Sequence, residues 1–115
     1  MEAASQARWW AVRVLFEQTI GADSSGMVQD SIFLVLAEGE REAATKGAAF
    51  ASAANHEYLN PFDELVRVRF DQVTGVHEIG ESELADGTEV YMSLEAGSDA
   101  ESLRERGRMR PKPAS

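Results

Sequence analysis

Between Trp9 and Glu17 the chain alternates with period two. Trp10, Val12, Val14 and Phe16 fall on one side; Trp9, Ala11, Arg13, Leu15 and Glu17 fall on the other. Successive side chains of an extended chain point to opposite faces, so the run predicts a strand with one dry face and one mixed face. Gly21 to Gly26 is turn chemistry, with glycines supplying unusual dihedrals and Asp23, Ser24 and Ser25 able to bond their own backbone. It predicts a return into a second antiparallel strand. From Ile32 to Ala37 the residues are apolar at both parities, the pattern of a central strand covered on both faces.

The period then changes to that of a helix over Glu38 to Ala54. Ala43, Gly47, Phe50, Ala51 and Ala54 recur on one stripe, with Glu40, Arg41, Glu42 and Lys46 mostly outside it. A stripe of small residues lets a helix sit close to a sheet, against bulky partners such as Trp10, Val12, Val14 and Phe16. Asn55 tolerates the left-handed region and is expected to end the helix, and His56 to Glu64 reads as a structured loop around Asn60-Pro61. Val66, Val68 and Phe70 form the next dry face. Val73 is out of phase with them, which places a β-bulge near Asp71-Gln72. Extended chain is expected to Ile79, a turn over Glu81 to Gly87, and a last strand over Thr88 to Leu94 with Val90, Met92 and Leu94 on one side.

These elements predict an α+β fold. An antiparallel sheet of about four to five strands, in the order strand-strand-helix-strand-strand, carries one helix packed on one face. The domain is expected over residues 9–95, after an N-terminal tail of residues 1–8. Beyond it, Leu103 and Met109 are too few for a core, so residues 96–115 read as a flexible basic tail with room for a short helix around Asp99 to Arg106.

Charge narrows the partners. The formal net charge is −9, yet residues 96–115 carry five basic against three acidic residues, which leaves −11 on residues 1–95. A body that acidic repels phosphate backbones and anionic membranes, so a nucleic-acid or membrane partner is not expected of it. There is no cysteine, hence no disulfide or thiolate site. No long apolar run or leader-like segment stands in the sequence, and the expected address is cytoplasmic. His56 and His77 show no metal-ligand spacing, no serine sits in a nucleophile elbow, and no glycine-rich phosphate loop occurs. No cofactor is expected, and the enzyme reading is the weaker one.

The sheet face away from the helix is the candidate site. Trp9, Arg13, Leu15, Phe33, Leu65, Arg67, Arg69, His77, Glu89 and Tyr91 are assigned to it. Arginines and aromatics among aliphatic residues are the composition of a protein interface. The leading expectation is a non-enzymatic interaction module that pairs with itself as a homodimer, or with another protein. One alternative uses the same face for a small molecule or anion, with Arg13 and Arg67 as a clamp and His77 or Glu89 carrying a proton. Another is an acidic inhibitor or immunity protein that neutralises a basic partner.

Three segments carry a resemblance. Trp9-Trp10-Ala11-Val12-Arg13, the Tyr58 and Asn60 loop, and Asp86-Gly87-Thr88-Glu89-Val90-Tyr91 stand in order around the acidic-hydrophobic strand Asp30 to Leu36 and the alanine-rich helix Glu40 to Ala54. In this the chain resembles the domain-of-unknown-function family 4288 over about residues 9–94. The resemblance implies a small stand-alone bacterial or archaeal α+β protein with no established activity. The chain departs from the family pattern at Asp63, where a glycine tends to precede the glutamate, and at Val68, where a tryptophan is frequent.

Overall fold

A computed structural model describes residues 6–79, 84–92 and 94–108. The expectations for residues 1–5, 80–83, 93 and 109–115 lie outside the described residues. Strand β1 (Arg8–Ile20) turns through Gly21-Ala22 into β2 (Asp23–Ala37). Helix α1 (Glu40–Ala53) follows, then β3 (His56–Leu59), β4 (Leu65–Glu78) and helix α2 (Gly97–Arg108). The sheet is antiparallel with order β2-β1-β4-β3. The α+β class and the antiparallel sheet stand as expected. The element list does not, because the described residues form two helices and the fourth strand is a different segment.

Burial explains the first face. Val12 and Val14 are fully buried, and Trp10, Phe16, Val35, Ala37, Val66 and Val68 join them beneath Ala43 and Ala51 of α1. At Gly47 helix and sheet meet closely: a methyl group there would lie 2.4 Å from Cγ1 of Val12. The small-residue stripe therefore packs as its spacing predicts, though Phe50 and Ala54 are exposed and do not belong to it. The bulge expected near Asp71 is present, since Leu15 pairs with Gln72 and Phe16 with Phe70, and it restores Val73 to the dry side. A second bulge skips Thr74 between the Gly75 and Val73 pairs.

Three local readings are corrected. His56–Leu59 is a strand paired with β4, too short and too exposed to leave a pattern. Asn55 does not cap α1 in the left-handed region; Ala54 is the C-cap, and the Asn55 Oδ1 accepts the Phe70 N–H at 2.6 Å, beside the first bulge. Residues 88–92 form no strand. Beyond β3 the outer edge of β4 is broken by the two bulges, which leaves no regular ladder for a returning strand.

The loop between β3 and β4 is held by Asn60, whose Oδ1 accepts the N–H groups of Phe62 at 2.9 Å and Glu64 at 3.0 Å. That geometry places Asp63 at φ 61°, a left-handed conformation that costs an L residue about 1 kcal/mol or more and glycine nothing. The glycine suggested by the family pattern thus has a backbone reason. Asp63→Gly should match the parent or exceed it by up to about 1 kcal/mol, while the β-branched Asp63→Val should lose about 1–2 kcal/mol in urea denaturation. The reverse order would mean that the loop relaxes out of this conformation.

Candidate functional site

Register decides what the far face carries. With Trp10, Val12, Val14 and Phe16 turned to α1, the odd residues of β1 face away, and their β2 neighbours are Leu36, Leu34, Ile32 and Asp30. On β4 the same face carries His77, Gly75, Gln72, Arg69, Arg67 and Leu65. Trp9, Arg13, Leu15, Leu65, Arg67, Arg69 and His77 therefore share the expected face. Phe33 does not. It pairs with Val12 and its ring lies 6.3 Å from that of Phe16, on the α1 side. A stretch apolar at both parities gives no phase, so only the register could place it.

The far face divides in two. Arg13 stands opposite Gly75 and Arg67 opposite Thr19, six positions apart along β1, which is about 20 Å of strand. The two arginines cannot clamp one small anion. Arg67 bonds Glu57 on β3 at 2.8 Å. Arg13 grips Asp30 with both Nε, 2.8 and 3.0 Å from the two carboxylate oxygens, and Nη2. That grip holds the Asp30 carboxyl below its ordinary range, against an opposing effect of desolvation, and raises the Arg13 guanidinium above its own.

Tyr91 closes over this end of the sheet. Its hydroxyl accepts a 3.4 Å hydrogen bond from Arg13 Nη1, its ring lies 5.7 Å from the guanidinium carbon, and it meets the His77 ring edge-on at 6.0 Å. The segment expected as a closing strand thus reaches the sheet through side chains, and Tyr91 and Met92 line a hollow with the buried Ala11. Glu89 is exposed on the same segment. Between Tyr91, Arg13, Asp30 and Ile32 and the α2 residues Leu103 and Arg106 runs an open cleft of about 300 Å³. Among the described residues, no group of three or more His, Asp or Glu could hold a metal ion.

The more telling feature was not assigned from sequence. β2 is not central but lies at the edge of the sheet, and Ile32, Leu34 and Leu36 are 47%, 43% and 40% exposed in a row on its far face. The signal was present in the both-parity run Ile32 to Ala37. It says that both faces should be covered, but not that one is left open.

The fold and this face define a small α+β protein with a four-stranded antiparallel sheet, α1 on one side and an apolar row open on the other. A family model described as Domain of unknown function (DUF4288) matches residues 9–92, and the chain belongs to that family. No curated protein and no solved structure is detectably similar to it. No helix among the described residues is long and apolar enough to cross a membrane.

Proposed function

We propose that the protein is a non-enzymatic interaction module that works as a homodimer, using the β2 side of the sheet face opposite α1. The observation that carries the reading is a mismatch between sequence and exposure. Ile32 to Leu36 is patterned for burial on both faces, yet Ile32, Leu34 and Leu36 stand open beside Trp9. Contiguous exposed aliphatic residues on a soluble domain mark association surfaces. The anion-clamp alternative gains no support, because Arg13 is engaged by Asp30 and Arg67 by Glu57. Covering the row with a second copy needs no further gene product, and closed two-fold dimers are the commonest assemblies.

The test is the oligomeric state by light scattering and sedimentation at about 10–100 µM, a range that detects dimers of modest affinity. The parent chain should run as a dimer. Leu34→Glu places a carboxylate in the row while leaving the core untouched, and should weaken association about a hundredfold or more with unchanged circular dichroism. A parent chain that stays monomeric throughout that range sinks the reading.

A further inference from the structure

We infer that two copies join edge to edge, β2 against β2, to form one continuous eight-stranded sheet whose two-fold axis passes at Ser31. The inference deepens the homodimer reading and rests on it, but it names the hydrogen-bonding edge as the contact rather than the face alone.

Backbone direction comes first. The carbonyl of Trp9 accepts the N–H of Ile79, so the peptide groups of Trp9 point toward β4. The hydroxyl of Thr74 reaches the Arg13 carbonyl from the same side. Neighbouring positions alternate, and an antiparallel pair that is not hydrogen-bonded on one side turns its groups to the other. Leu36, opposite Trp9, therefore aims its N–H and C=O away from β1, as do Leu34, Ile32, Asp30 and Val28. The Lys46 ammonium takes the outward carbonyl of Leu36 and so closes that end of the run. The ladder changes register between Glu17 and Thr19, just past Val28, and Gly26 follows with φ 75°. Four outward residues, Val28, Asp30, Ile32 and Leu34, remain between these two limits, and their midpoint is Ser31.

The other edge is treated differently. β3 has four residues and is followed by Asn60-Pro61, and beyond it β4 is interrupted by bulges at Asp71 and Thr74. Short strands, prolines and bulges are the devices by which sheets discourage pairing. β2 has fifteen residues, and none of those devices falls between Val28 and Leu36.

Electrostatics permits a second copy here despite the acidity of the body. Asp30 is the sole ionisable residue from Val28 to Leu36, and the Arg13 of its own chain neutralises it. Pairing about Ser31 sets Asp30 opposite Ile32 of the second copy and Val28 opposite Leu34, so no like charges face each other directly. On the shared face Leu34 of each copy then packs against Val28 of the other, and Ile32 against the stem of Asp30, so the join itself covers part of the exposed row. An extended strand added to an open edge is an established mode of recognition, and a two-fold axis makes the edge its own partner.

Cysteine cross-linking of the full chain tests the register, since no native cysteine competes. Ser31 would pair with itself at a non-hydrogen-bonded site, where Cα atoms lie about 4.5 Å apart, within disulfide range. Val28 is the control: it is 62% exposed, and its two copies would lie six positions apart along the strand, about 20 Å. Under mild oxidation Ser31→Cys should give covalent dimer at least roughly tenfold faster than Val28→Cys, with the far-ultraviolet spectrum of the parent. Equal rates, or no cross-link at Ser31 in a chain that scatters as a dimer, overturn the edge pairing and leave the homodimer reading standing. A monomeric parent that cross-links at neither site overturns both.

Discussion

Gly47→Ala should destabilise the protein, although alanine is the better helix former. Propensity alone favours the substitution by up to about 1 kcal/mol. The added methyl, however, would sit 2.4 Å from Cγ1 and 2.8 Å from Cβ of Val12, which is fully buried in the central strand. A branched side chain with its Cβ engaged cannot swing clear by rotating χ1 alone, so helix or strand must move. Overpacking of this kind costs about 1–3 kcal/mol, enough to reverse the sign. Gly47→Leu should cost more, a large fraction of the stability of a small domain. Chemical denaturation of Gly47→Ala, Val12→Ala and the double variant supplies the decisive comparison. The double variant should be more stable than the sum of the singles implies by at least about 1 kcal/mol. Additive losses would show that the two residues do not share one contact.

That contact is legible in the sequence, because it rests on two periods that the sequence states clearly. The stripe Ala43, Gly47 and Ala51 and the alternation Trp10, Val12, Val14 and Phe16 each name a face, and small against large is how such faces fit. The bulge at Asp71 was readable for the same reason, since a slip in phase between Phe70 and Val73 needs one extra residue. What was not readable depended on pairing. Ile32 to Ala37 lacks phase, so its pattern alone puts Phe33 on the wrong side and β2 in the middle of the sheet. Asp30 lies diagonal to Arg13, a neighbour only once the register sets Arg13 opposite Ile32. The run Glu89 to Met92 alternates as a strand does, yet alternation does not supply an edge to pair with, and the segment reaches the sheet through Tyr91 instead. Arg13 and Arg67 share a parity and a face, but parity carries no distance, so their separation along β1 was invisible.

The adjacent tryptophans offer a second large effect, because strand geometry sends them to opposite faces. Trp10 is 6% exposed, and its indole N–H donates to the carbonyl of Ala37 at 2.9 Å, fastening the start of β1 to the end of β2. Trp10→Ala should cost about 3–5 kcal/mol, through lost burial and the cavity left under α1. Trp10→Phe keeps much of the ring but leaves the Ala37 carbonyl without that donor, and should cost about 1–3 kcal/mol. Trp9 is half-buried on the far face opposite Leu36, and Trp9→Ala should cost about 1 kcal/mol or less when compared in monomers, for example in the Leu34→Glu background. Each single variant retains one tryptophan, so urea unfolding followed by fluorescence reports on all of them. Should Trp9→Ala prove as damaging as Trp10→Ala in that background, the far face of the isolated subunit would be a second core. The row formed by Ile32, Leu34 and Leu36 would then be the rim of that core and not a surface awaiting another chain.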